Sequence, residues 1–280
     1  MWILKILTAL FGLFGRGRSP AAMLNLTVPR SGYRVQRDIA YGPGARQKLD
    51  LYIPGGLKGP APVVLFFYGG AFRVGRKSEY RVVGQALASK GIIAAVADYR
   101  IYPEARFPDF LEDGAQALAK VHALAARYGG DPNRIFAAGH SAGAYITAML
   151  AANPAYIRAA GGDMSFIRGA IAIAGRFHEF PIGDATFRET FKGPARSETR
   201  PATYINGKRP PMLFAAGAAE SSEVLESHRL LAAHLCEHGS DVEDVIYPGI
   251  GHIGIMLALA PGFRHRAPLR EDIARFVAAH

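Results

Sequence analysis

Within the run RIFAAGHSAGAYITAML, Ser141 stands in Gly139-His140-Ser141-Ala142-Gly143, a G-x-S-x-G. A serine hydroxyl is a weak nucleophile until a neighbouring base takes its proton and the backbone exposes it. The pattern is unspecific by itself in a chain with 32 glycines, so its placement decides what it means. The motif ends a buried-type strand read at 135–139 and opens a helix read at 142–152. A turn that sharp forces strained angles on Ser141 and lifts its hydroxyl clear of the sheet, and glycines two residues either side leave room for the close approach. The helix N-terminus then points free N–H groups at the place where an oxyanion would develop. A serine that only caps a helix is the plainer alternative, and the preceding strand argues against it.

A base, an acid and a second set of oxyanion donors are needed to complete such chemistry. Of the nine histidines, His252 lies in Tyr247-Pro248-Gly249-Ile250-Gly251-His252, a glycine-bearing loop after the last expected strand. His228, His234 and His238 share one helix and read as surface or packing residues. The acid should follow the strand read at 212–216, which puts Glu220 first, with Glu223 as its rival from the same loop. This keeps the chain order nucleophile, acid, base. After the strand read at 63–68, Gly69 and Gly70 allow a loop whose N–H groups turn inward, joining that of Ala142 as oxyanion donors. Phe72, Tyr145, Phe177 and His178 are the candidate pocket neighbours.

The elements that must position these residues alternate along the chain. Expected strands cover residues 33–40, 47–53, 63–68, 92–99, 135–139, 170–174, 212–216 and 242–247. The first two alternate in polarity, as half-exposed antiparallel edge strands do, whereas VVLFF, IIAAVA and MLFAA are continuous apolar runs that suit strands covered on both faces. Helices are expected at 110–128, 142–152, 224–238 and 269–279, the first stopping at Gly129-Gly130. The fold class is therefore α/β: a mostly parallel, doubly wound, eight-stranded sheet with an antiparallel N-terminal edge. Residues 175–210 lack periodicity and read as an irregular, lid-like excursion.

Composition narrows the remaining classes. The chain has 280 residues, 50% of them hydrophobic, enough for one domain at 31–280 with a sizeable core. The net charge of +10 is spread over scattered arginines rather than one element, which argues against a nucleic-acid partner. The only cysteine, Cys236, rules out an intrachain disulfide, and no histidine has ligand-spaced partners for a metal. A cytoplasmic protein is expected, with membrane association possible only through residues 1–18 of an apolar N-terminal segment spanning 1–30. There Trp2, Ile3, Ile6, Leu7, Leu10, Phe11 and Phe14 share one helical face. That face suits a helix in a membrane interface, a helix across the mouth of the domain, or an atypical signal anchor.

Taken in order, these motifs resemble the α/β-hydrolase-fold carboxylesterases related to hormone-sensitive lipase, in the branch shared with feruloyl-esterase-like and arylformamidase-like enzymes. The resemblance covers most of 33–280. It rests on Tyr68-Gly69-Gly70-Ala71-Phe72, on Asp98-Tyr99-Arg100 with Tyr102-Pro103-Glu104 and Phe107-Pro108, on Gly139 to Gly143, and on Tyr247 to His252. It implies hydrolysis of a small-molecule ester through an acyl-enzyme, no cofactor, and oxyanion donors at Gly69, Gly70 and Ala142. Amidase, formamidase or acyltransferase chemistry on the same residues, or a catalytically silent binding protein, are the alternatives. Two positions depart from the family pattern: Tyr68 replaces the histidine that helps to order the oxyanion loop, and Glu220 stands where aspartate is usual.

Overall fold

The computed structural model describes residues 25–178 and 185–280. Eight strands make one sheet in the order β1-β2-β4-β3-β5-β6-β7-β8. These are β1 (Tyr33–Ala40), β2 (Lys48–Pro54), β3 (Ala61–Phe67), β4 (Ile93–Ala97), β5 (Gly130–His140), β6 (Gly169–Ile173), β7 (Met212–Gly217) and β8 (Val242–Tyr247). The two pairings of β2, with β1 and β4, are antiparallel; every pairing from β4 across to β8 is parallel. The helices are α1 (Arg81–Ala88), α2 (Asp109–Leu124), α3 (Ala142–Ala152), α4 (Pro154–Ala159), α5 (Ala185–Thr190), α6 (Ser222–Glu237), α7 (Gly254–Leu257) and α8 (Leu269–Ala279). The expected mostly parallel α/β sheet is therefore present, with α1 and α8 in contact and α2, α3 and α4 packed together.

Three local expectations need correction. The first two strands were expected to be half exposed, and β1 is, but every residue of β2 from Leu49 to Pro54 is buried. Its position second from the edge is one cause, and α1 is the other: Gly84 lies so close on the Tyr52 ring that any Cβ there would collide with it. Helix α1 carries no clear sequence signature because two turns are too few to display a 3.6-residue period, although all its residues after Arg81 are buried. Finally, α2 ends at Leu124; the chain tightens into a 3-10 turn over Ala126–Tyr128 before Gly129 turns left-handed at φ 84°.

The register assembles the candidate site. Phe67 pairs with Gly139, so the loop after β3 and the turn after β5 leave from adjacent strand ends. Gly217 pairs with Tyr247, so the loops carrying Glu220 and His252 also leave side by side. All four loops emerge at the carboxyl edge of the parallel sheet, where open α/β sheets place their sites.

The apolar segment expected to contact a membrane falls in residues 1–24, outside the described residues, and part of the 175–210 excursion, 179–184, also lies outside them. Among the described residues no helix is long and apolar enough to cross a membrane.

Burial of β2 creates one electrostatic demand. Asp50 is 1% exposed, and Lys77 meets it at 2.6 Å while also bonding Asp38 at 2.7 Å. Removing one partner of a buried pair strands the other charge. Lys77→Met should therefore lower the free energy of unfolding by about 3 kcal/mol, read from denaturant midpoints, and adding Asp50→Asn should restore part of it.

Candidate active site

Ser141 occupies φ 56°, ψ −116°, a left-handed conformation that side-chain-bearing residues rarely adopt. The packing around it leaves no other choice. A Cβ at Gly139 would overlap the Gly143 carbonyl, and a Cβ at Gly143 would overlap the Phe67 carbonyl of β3. Both glycines are therefore dictated by backbone running against backbone. The Ser141 N–H donates to Ile173 O at 2.9 Å, tying the turn to β6 as well.

His252 and Glu220 meet Ser141 in a line. Ser141 Oγ lies 2.9 Å from His252 Nε2, and His252 Nδ1 lies 3.0 and 3.2 Å from the two Glu220 carboxylate oxygens. With the proton on Nδ1, the ring donates to Glu220 and accepts from the serine hydroxyl. The Glu220 side chain is 4% exposed and that of His252 39%, so the imidazole shields the carboxylate from solvent. Two backbone bonds lock these loops together: Ala218 N–H to Tyr247 O and Ala219 N–H to Ile250 O, both 2.8 Å. Glu223 is exposed in the first turn of α6, its carboxylate held below the usual range by its own backbone N–H and the Ser221 hydroxyl. The carboxylate facing His252 is Glu220.

His140 adds a link that no motif spacing announces. Its Nε2–H donates to the His252 carbonyl at 3.0 Å, joining the serine turn to the histidine loop. Burial, reinforced by the nearby His252 charge, pushes its pKa down to about 3, so the ring stays neutral.

On the other side of Ser141, the loop after β3 is pinned from beneath. The buried Tyr68 hydroxyl donates to Asp98 at 2.8 Å and accepts from Arg46 at 2.7 Å. Arg46 also reaches the carbonyls of Gly75 at 2.6 Å and Tyr99 at 2.9 Å, while the Tyr99 hydroxyl donates to Tyr68 O at 2.7 Å. Stacking of Tyr68 on Tyr80 and Tyr99 completes the support. Burial pushes the Asp98 carboxyl upward in pKa, against the hydrogen bonds from Lys77 N–H and Tyr68. The loop above is tight: Gly70 sits at φ 139° and Ala71 at φ 51°. Among the described residues, no backbone acceptor takes the N–H of Gly70, Ala71 or Ala142.

Two cavities flank the serine. One, of about 570 Å³, is lined by Gly69, Gly70, Val74, Tyr80 and Met256 beside Ser141 and His252. The other, of about 540 Å³, has Ala142, Phe72, Tyr145, Phe187 and Arg176 beside the same pair and Glu220. Two expected pocket residues are elsewhere. Phe177 is buried against Phe214 and His228 rather than in either cavity, and His178 is exposed with its N–H on the Ser227 hydroxyl. The cause is the bend after β6, which turns Phe177 toward α6 and leaves Arg176 on the cavity side. Arg176 and Phe187 belong to the aperiodic stretch, where no pattern could single them out. Among the described residues no cluster of His, Cys, Asp or Glu could hold a metal.

An eight-stranded sheet in this order, with a strained serine after β5 and a histidine after β8, defines the α/β-hydrolase fold. Residues 49–163 match the BD-FAE family model. The chain is 30% identical over 246 residues, 80% of its length, to the isoprenylcysteine alpha-carbonyl methylesterase of Arabidopsis thaliana, covering 58% of that protein. It is 34% identical over 144 residues to a probable carboxylic ester hydrolase of Mycobacterium tuberculosis, half of this chain and 33% of the other. The apo form of Thermogutta terrifontis esterase 2 superposes with a TM-score of 0.73 at 24% identity, over 90% of this chain and 96% of that one. The chain thus spans little more than half the length of the Arabidopsis relatives it matches over most of its own. Its fold is the α/β-hydrolase fold of these esterases, and its sequence is similar to those of carboxylic ester hydrolases.

Beneath the site, His228 Nε2 accepts the Gly175 N–H at 3.1 Å, while its buried Nδ1 has no hydrogen-bond partner among the described residues. Burial pushes its pKa down to about 4. The unfolded chain protonates this ring near pH 6.5, so the stability it contributes is complete above that pH and is lost as pH falls toward 4. The stability gap between wild type and His228→Gln, measured by urea unfolding, should shrink by roughly 1–3 kcal/mol from pH 7 to pH 4. A gap that does not change with pH would remove the neutral-ring explanation.

Proposed function

We propose that this chain is a serine carboxylesterase in which Ser141 is the nucleophile, His252 the general base and acid, and Glu220 the group that orients and charges the histidine. The carrying observation is the hydrogen-bonded line from Glu220 through His252 to a hydroxyl held at a left-handed turn. Relatives described as a methylesterase and a carboxylic ester hydrolase support the choice of bond.

Ser141 Oγ attacks the ester carbonyl carbon while its proton passes to His252 Nε2. The negative oxygen formed there is met by the N–H groups of Gly69, Gly70 and Ala142, donors fixed before the reaction begins and therefore costing little reorganisation. The imidazolium, stabilised by Glu220, gives its proton to the departing alkoxide; alcohol leaves and the acyl group remains on Ser141. Water then attacks the acyl carbon, losing a proton to His252, and the collapsing intermediate returns that proton to Ser141 Oγ as the acid departs. The two cavities offer one limb of the ester a place on each side of the serine.

Ser141→Ala should lower kcat for a nitrophenyl ester by at least about 10⁴-fold with the circular dichroism spectrum unchanged. Glu220→Gln should lower it by roughly 10³–10⁴-fold, because the neutral amide no longer holds the imidazole tautomer. Labelling with a fluorophosphonate followed by peptide mapping should place the adduct on Ser141; folded protein that resists the label would overturn the esterase reading.

A further inference from the structure

We propose that Arg176 recognises a carboxylate on the ester itself, so that the preferred substrates carry a free acid group on the limb that enters the cavity beside Phe72, Tyr145 and Phe187. This rests on the esterase reading and specifies its substrate class. Arg176 is half-buried and lines that cavity together with Ser141, Glu220 and His252. Among the described residues, no carboxylate or carbonyl takes a hydrogen bond or ion pair from its guanidinium.

Other arginines are treated differently. Arg100 binds Asp113, Arg229 binds Glu226, and Arg209 is satisfied by the carbonyls of Ala152 and Tyr204 and the Asn206 side chain. Even the opposite cavity, which also contains an arginine, neutralises it internally, with Arg76 3.6 Å from Glu79. Among the described residues, the carboxylates near Arg176 are engaged elsewhere. Glu220 is committed to His252, and Glu223 is turned to Ser221 and its own N–H, feeling Arg176 only as the weakest of its influences. Most of the remaining wall is apolar, including Phe72, Phe187 and Val224. A cation placed there loses hydration without gaining a partner, a cost that an anion in the cavity offsets. The planar guanidinium matches a carboxylate with two parallel hydrogen bonds, and a net charge of +10 draws anionic substrates toward the surface.

The acid group can belong to the acyl limb or to the alcohol limb, and a paired ester panel separates them. One pair compares nitrophenyl hydrogen glutarate with nitrophenyl methyl glutarate; the other compares carboxyphenyl butyrate with carbamoylphenyl butyrate. In the wild type, one pair should show kcat/KM about tenfold to a hundredfold higher for the anionic member, mainly through KM. In Arg176→Met the ratio should fall to about one, and in Arg176→Lys, which keeps the charge but not the fork, part of it should remain. Reading the ratio within a pair removes any general loss of activity in a variant. Neutral esters hydrolysed with no anionic preference in either pair, or a preference that survives Arg176→Met, would overturn this inference and leave the esterase reading standing. No Ser141-dependent hydrolysis of any ester would overturn both.

Discussion

Everything in the site depends on one crowded junction, where β5 ends and α3 begins. Ser141 is held in a backbone conformation that costs of order 1–3 kcal/mol, and the surrounding chain supplies the reason it persists. Gly143 is pressed on the Phe67 carbonyl and Gly139 on that of Gly143, so the turn cannot relax without driving α3 away from β3. The helix cannot move either, since every residue of Ala142–Ala152 is buried. A surface helix with one apolar stripe would have a direction in which to yield; this one has none. The strain is thus balanced by core packing, and the hydroxyl presented to His252 is its product.

The same need for fixed geometry explains why so many polar groups lie buried around the junction. The buried Tyr68 hydroxyl lies between Arg46 and Asp98. The guanidinium then spans two carbonyls, those of Gly75 and Tyr99, that belong to different loops. A buried polar network is worth having only when nearly every member is satisfied, and here the phenol, the carboxylate and the guanidinium each meet a partner. His140 performs the equivalent task on the opposite flank, and its low pKa keeps a second cation from forming next to His252. Neutral rigidity on one side and satisfied charge on the other leave the proposed hydrogen-bonded line from Ser141 to Glu220 without a competing partner among these buried groups.

Much of this architecture was legible from residue order because its strongest constraints act over short stretches. The continuous apolar runs of β3, β4 and β7 announce strands covered on both faces, and the G-x-S-x-G announces the junction between β5 and α3. The position of Glu220 ahead of Glu223 follows from how soon the chain must turn after β7. What stayed hidden was set by distant partners. Nothing in the alternation of Leu49, Leu51 and Ile53 reveals that Gly84 will settle on Tyr52 and cover β2. Nothing in residues 175–210 distinguishes Arg176, which faces the cavity, from Phe177, which turns into the core against Phe214. One residue of bend decides between them, and without a period no pattern records it.

The two cavities share Ala71, Ser141 and His252, and this division constrains what the site can take. An ester has two limbs meeting at one carbonyl, and only a molecule that places the carbonyl at Ser141 can occupy both spaces at once. The limbs then meet unlike walls. On the first side the mouth carries Val74 and Ile253, 64% and 54% exposed, above an arginine already neutralised by Glu79. On the second, the Arg176 guanidinium, without an ion-pair partner among the described residues, lines a cavity that also has an aromatic wall. In the proposed reaction a limb is therefore sorted by apolar contact on one side and by charge on the other. On the proposed reaction and the proposed role of Arg176, an ester entering the wrong way round forfeits both contacts, so its direction across Ser141 is set before any bond is broken.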